Sequence, residues 1–248
     1  MLSEKPINTS TKIISVQPRY LWFLMTAYSV AIFAANWFDP RHVKIFGLCT
    51  GAGSIAFPLT YLLADTITEV YGYKNTRLAI WVGLLFYAIC LFYGQFVLHF
   101  LDPHSSYKTA LTLFLSVNDH IIIATLASLL VAESINSYLV AKLKILFQGK
   151  YIGCRFLIST LTAYFFDELF YAPIAFYGLM NIKNFMHHML DSWIFMVSIE
   201  ILLLPLSVRI AKHIKNIEKS DIYDSKTSFN IFNLDTRYSE KDNRYTGN

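Results

Sequence analysis

Carboxylic acids recur inside the apolar stretches of this sequence, where each needs a compensating partner. Asp65 and Glu69 lie in the stretch 54–71, Glu133 in 121–141, Asp167 and Glu168 in 155–179, and Asp191 and Glu200 in 189–210. An ionisable side chain at the centre of a bilayer costs about 2.5–3.5 kcal/mol on insertion scales. The spacing of these residues is that of helix faces. Asp65, Thr68, Glu69 and Gly72 stand at i, i+3, i+4 and i+7. Glu133, Asn136 and Ser137 repeat the pattern, as do Tyr164, Asp167, Glu168 and Tyr171. Three helices therefore present a polar stripe with an acid in it, and such stripes are expected to face a bundle interior or a watery cavity. Pro58, on the face of Asp65, predicts a kink.

The stretches carry acids and almost no bases, so mutual salt bridges are not expected to neutralise them. Either the acids are protonated, or a cation or a donor-rich ligand sits among them. A purely structural reading has them hydrogen-bond one another across helices. Glu69 taken singly has a snorkelling reading beside Lys74, and Asp191 reads as interfacial. A guanine-like base meets the chemical requirement. Its N1–H and exocyclic amine form a two-donor edge for one carboxylate, and its faces stack on aromatic rings such as Tyr61 or Tyr164. A cationic amine or a metal ion meets it as well. An enzyme is not expected, and no catalytic residue, metal or cofactor is assigned. His187, His188 and Asp191 have metal-ligand spacing without an H-E-x-x-H pattern, and Ser159 lacks a nearby His and a G-x-S-x-G elbow.

The elements that must hold these residues are long and apolar. Of 248 residues 55% are apolar and 15% charged, with mean hydropathy +0.43, against about 25% charged in soluble domains. Spans are predicted at Tyr20–Phe38, 54–71, 78–101, 121–141, 155–179 and 189–210, with a glycine-bearing loop at 41–53. The fold class is an all-α integral membrane protein, a bundle of about six transmembrane helices. Continuous apolar runs of this length do not suit the alternating segments of a barrel. Lys and Arg are about threefold more frequent in the flanks that an internal N-terminus places inside. They include Lys74, Arg77, Lys142, Lys144, Arg155, Lys212 and Lys215, against Arg41, Lys44, Lys108 and Lys183 outside. Both termini are therefore expected to be cytoplasmic. The division is 1–19 as an N-terminal segment, 20–212 as the transmembrane domain and 213–248 as a polar cytoplasmic tail, mobile by composition. Thr60 to Asp65 and Thr162 to Asp167 both place Thr five residues before Asp, a pattern compatible with a three-plus-three inverted repeat. Cys49, Cys90 and Cys154 form no CxxC pair and support neither a disulfide framework nor a zinc site. A formal charge of +4 gives no argument for nucleic acid.

Several stretches carry a family resemblance. FPLTYLLADTITEVYGYKNTRLAIW, Phe57 to Trp81, resembles the signature of the queuosine precursor transporter family, also called the vitamin uptake transporter family. Asn36 stands at the end of the first span as in that family. SLLVAESINSYLVAKLK, Ser128 to Lys144, is similar to its fourth span, and GKYIGCRFLISTLTAYFFDELFYAPIAFYG, Gly149 to Gly178, to its fifth. DIYDSKTSFNIF, Asp221 to Phe232, is similar to the family's C-terminal stretch. The resemblance implies import of a 7-deazaguanine precursor of queuosine, 7-cyano- or 7-aminomethyl-7-deazaguanine, across a bacterial cytoplasmic (inner) membrane by a six-helix protein. The alternative is a membrane binding subunit of an ATP-driven importer, or a diverged transporter of another small heterocycle. Asn36, Asp65, Thr68, Glu69 and Asp167 carry over as substrate-binding candidates, joined by Glu133, Asn136 and Tyr164 on the polar stripes. Partners are the small molecule and the lipid bilayer, with a homo-oligomer left open. The chain departs from the family where Glu133 and Asn136 exchange an amide and an acid, where Ala163-Tyr164 precedes Asp167, and where Glu200 stands in a last helix that often holds Lys.

Overall fold

The computed structural model describes residues 18–39, 41–45, 47–100, 109, 112, 119–175 and 182–246. Most of the predicted N-terminal segment, with Lys5, Lys12 and Lys108, lies outside them. The described residues form six α-helices: α1 (Leu21–Phe38), α2 (Phe57–Tyr71), α3 (Tyr73–Phe100), α4 (Asp119–Leu146), α5 (Ile152–Ala175) and α6 (Ile182–Glu218). Between α1 and α2, strands β1 (His42–Ile45) and β2 (Leu48–Gly51) pair antiparallel, and a 3-10 turn, Ala52–Ile55, follows. The glycine-bearing loop predicted here is thus a hairpin. Its tight turn needs the left-handed backbone that Gly47 supplies at φ +90°.

Long apolar sequence makes the outer helices, and one-sided burial orients them. In α1 the buried residues are Leu24, Tyr28, Ala31, Ile32, Ala35 and Asn36, a single helical stripe, while Trp22, Phe23 and Val30 are exposed. On α3 the exposed set is Leu85, Phe86, Ile89, Phe92, Tyr93 and Phe96. Water would not cover a belt of such side chains, and a bilayer would. Helices α1 and α3, residues Ile122–Leu146 of α4 and Met189–Glu218 of α6 are long and apolar enough to cross a membrane. α5 is 24 residues long but carries Arg155, Asp167 and Glu168.

Helix α2 is different in kind. Its 15 residues span about 22 Å at 1.5 Å per residue. All of them except Leu59 are buried, and α2 packs on α1, α3, α4 and α6. It is the central post of the bundle. Pro58 does not kink it, because Pro58 stands in the first turn, where a missing N–H costs nothing. α2 ends at Gly72, φ +83°, and α3 begins one residue later. α4 and α5 form the most closely packed antiparallel pair.

One end of the bundle collects the bases. The backbone N–H of Tyr20 donates to Glu218 Oε1 at 2.7 Å, which places the start of α1 beside the end of α6. Ion pairs join the end of α2 to the start of α5 and the end of α6. Successive helices therefore run in alternating senses, and α2 and α5 run oppositely. Their two Thr-x4-Asp segments are unlike in surroundings. Thr60 is buried, whereas Thr162 sits on an exposed face and donates to Ile158 O at 2.8 Å.

The C-terminal stretch corrects the expectation of a mobile tail. α6 runs on to Glu218, and residues 219–246 fold back over the basic end. Arg77 donates to the carbonyls of Ser228, Asn230 and Asp235 at 3.1, 2.8 and 2.8 Å. Trp81 donates its indole N–H to Ile231 O at 2.8 Å. Asp224 accepts from Tyr73 N and from Tyr238 Oη at 2.9 and 2.6 Å. Phe229 packs between Tyr73 and Tyr138, with ring centroids 4.9 and 5.0 Å away. Arg237 first, with Lys74, holds the carboxyl of Asp235 down at about 2, so that contact stays charged well below neutral pH.

Candidate functional site

The polar stripes of α2, α4 and α5 meet at the centre of the bundle. On α2, Asp65 is fully buried and its Oδ1 accepts from Asn136 Nδ2 of α4 at 2.6 Å. One turn before it, Tyr61 meets Tyr164 of α5 edge to face, with centroids 4.7 Å apart. Tyr164 is the hub, since its hydroxyl lies within the field of Glu200, Glu133, Asp167 and Asp65. Glu133 of α4 is neighboured by Thr60, Tyr28 and Asp167. Asp167 in turn is neighboured by Ser128.

These groups are buried and short of partners. Asp65 Oδ2, both oxygens of Glu133, Asn136 Oδ1, Asp167 Oδ1, both oxygens of Glu200 and the hydroxyls of Tyr28, Tyr61, Tyr164, Ser137 and Thr160 have no hydrogen-bond partner among the described residues. A buried polar atom without a partner costs about 1–3 kcal/mol, and more if charged. Their number, with acceptors in excess of fixed donors, singles this region out as the candidate site. The hydroxyls can turn to donate or accept, while the carboxylates can only accept unless protonated. No Lys or Arg among the described residues is paired with Asp65, Glu133, Asp167 or Glu200. Two clefts, of about 500 and 630 Å³, lie beneath the C-terminal stretch and on the flank of α1 and α6. Both lack these acids, and chemistry therefore favours the central group.

Of the residues named from sequence, Asp65, Glu133, Asn136, Tyr164 and Asp167 converge here. Asn36, Thr68 and Glu69 do not join them. Asn36 donates to Ile32 O of its own helix at 2.8 Å. Thr68 bonds Ala64 O and Thr76 Oγ1, both at 2.8 Å, at the seam with α3. Glu69 faces the basic end. Arg155 grips it with two hydrogen bonds of 2.6 and 2.8 Å, and Lys215 adds a third at 2.5 Å. Lys144 and Lys215 both reach Asp221, at 2.7 and 2.6 Å. The expectation that salt bridges could not neutralise the buried acids therefore fails at Glu69. Its partners lie 86 and 146 residues away, a distance that span-by-span reading does not cross. Tyr28 and Thr60 are further members of the centre. The sequence reading named neither of them, because a tyrosine and a threonine in apolar spans carry no charge to mark them.

Residues 51–210 match the model of the family described as "Putative vitamin uptake transporter". Over 193 residues the chain is 24% identical to the "Probable queuosine precursor transporter" of Bacillus subtilis (strain 168), a match that covers 77% of this chain and 84% of that one. No solved structure matches.

Proposed function

The chain belongs to the vitamin uptake transporter family, and from that premise we propose that it imports a 7-deazaguanine precursor of queuosine through the centre of its helix bundle. One observation carries this reading: acids, an amide and tyrosines from α1, α2, α4 and α5 lie buried together, joined by the Asn136–Asp65 hydrogen bond and the Tyr61–Tyr164 ring contact, with most of their other polar atoms unpartnered among the described residues. A deazaguanine has what such a place lacks. Its N1–H and exocyclic amine give a carboxylate two parallel donors, and Asp65 and Asp167 are the carboxylates we assign to that edge or to a coupling proton. Glu133 and Asn136 read the remaining polar atoms. Tyr164 or Tyr61 offers a ring face, once the edge-to-face pair opens.

In this reading all six helices traverse the bilayer of a bacterial inner membrane, and α2 does so together with the hairpin and 3-10 turn that precede it. Irregular backbone at membrane depth is tolerated where protein buries it, as Gly51, Gly53 and Ser54 are buried here. The basic end lies in the cytoplasm. Asn36, Thr68 and Glu69 hold the frame. The test is uptake of labelled precursor by cells unable to make their own, read as queuosine in tRNA. Asp65→Asn and Asp167→Asn are each expected to abolish uptake with the protein still in the membrane. Undiminished uptake by both variants would remove these residues from the mechanism.

A further inference from the structure

Helices α1 and α6 both pack on α2, and the cleft of about 630 Å³ on their flank runs between them. Its floor is Leu62 and Leu63 of α2, and its walls are Phe23 and Leu24 of α1 and Ile210 and Ile214 of α6. Tyr20 and Ile217 line the part nearest the basic end, where the Tyr20 N–H donates to Glu218. Phe23 and Ile217 are exposed, so the cleft opens sideways onto the surroundings of the bundle. It shares no residue with the central acids.

Two basic side chains stand on this otherwise apolar cleft. Arg209 and His213 line it at i and i+4 of α6, hence on one helical face, and both are exposed. Neither is bonded to or paired with a described residue, and no described Asp or Glu lines the cleft. Arg77, Lys144, Arg155 and Lys215 are by contrast all matched by carbonyls or carboxylates. Hydrocarbon would cover the apolar walls and leave Arg209 unsatisfied at a cost. Water would satisfy Arg209 and leave the walls bare. A molecule with an acyl chain and an anionic head meets both demands. The guanidinium fork matches phosphate oxygens in bidentate fashion, and the imidazole adds a donor. Arg209 lies about two and a half turns before the end of α6, and a long basic side chain at that depth extends toward head-group level. Basic pockets between helices on the cytoplasmic side suit anionic head groups, which that leaflet supplies.

We propose that this cleft is a binding site for an anionic phospholipid of the leaflet at the basic end, with an acyl chain laid on Leu62 and Leu63 and the phosphate held by Arg209 and His213. The proposal uses only the membrane orientation given above, and it holds whether or not the imported molecule is a deazaguanine.

The experiment follows the melting temperature of the purified full chain in detergent while phosphatidylglycerol, phosphatidylcholine or inorganic phosphate is titrated in. A ligand of the folded state raises that temperature, and the concentration dependence gives an apparent affinity. Phosphatidylglycerol should bind on the order of tenfold more tightly than phosphatidylcholine, and phosphate alone should cause no shift. Arg209→Gln changes an exposed position, and should fold and lose the preference. Lys212→Gln removes an exposed base of the same helix that does not line the cleft, and should keep it. Ile210→Trp fills the cleft and should weaken both lipids. Should Arg209→Gln yield no folded protein, Arg209→Lys decides, since it keeps the charge and loses the fork: a reduced preference supports the proposal, and an unchanged one overturns it. Equal affinity of the wild type for the two lipids, an undiminished preference in Arg209→Gln, or an equal loss in Lys212→Gln also overturns it. A shift with phosphate alone as large as that with phosphatidylglycerol would mean a free-anion site and overturn the lipid assignment. None of these outcomes touches the uptake assay, so the transporter reading stands or falls separately.

Discussion

Asp65 and Glu69 stand one turn apart on α2, both fully buried, and are compensated by opposite means. Glu69 has three charged hydrogen bonds from Arg155 and Lys215, while Asp65 has a single amide. Removing one member of a buried ion cluster leaves its partners charged and unpaired, at a cost of about 3–5 kcal/mol. Glu69→Ala is therefore expected to lower the melting temperature sharply in detergent and to reduce the amount of protein in the membrane. Asp65→Asn should melt near the wild type and lose only uptake. The reverse pattern, a stable Glu69→Ala and an unstable Asp65→Asn, would exchange the structural and binding roles assigned here.

At the scale of elements, the close passage of α2 into α3 depends on Gly72. Its φ of +83° is left-handed, and a Cβ added there would meet Tyr238 Oη at 2.5 Å. Gly47 has a similar φ of +90° with nothing within 4 Å of the same added atom. Gly47→Ala thus reports backbone strain alone, about 1–3 kcal/mol. Gly72→Ala adds displacement of Tyr238, which also bonds Asp224 and the N–H of Lys74. Gly72→Ala should lower the melting temperature by clearly more than Gly47→Ala. Equal shifts would mean that the C-terminal stretch gives way at no cost.

Over the whole molecule, the C-terminal stretch acts as a strap across the basic end. It supplies the acceptors for Arg77, which is almost fully buried, and Asp221 for Lys144 and Lys215. Ending the chain after Glu218 would strip acceptors from three buried or half-buried cations. The truncated protein is expected to melt lower and to be cleaved faster by protease at the start of α3 and the end of α4. A truncated form as stable as the full chain would return residues 219–246 to the status of a loose tail.

Composition and the spacing of acids were enough to read a membrane protein of long helices and to put Asp65, Glu133, Asn136, Tyr164 and Asp167 on polar stripes of three of them, in a candidate set that also held Asn36, Thr68 and Glu69. Lipid imposes apolar length on each span independently, and a helix puts residues three and four apart on one face, so both features are written locally. The partners of those faces were not local. Glu69 and Arg155 look alike in sequence to other charged residues in apolar runs until folding brings α2, α5 and α6 together. Glu200 was visible as an acid, and only the fold shows that it is fully buried on α6. The polar end of the chain read as a tail because composition records how little a segment can bury of its own. It does not record the carbonyls that the segment can offer to Arg77, and only the tertiary structure decides where those go.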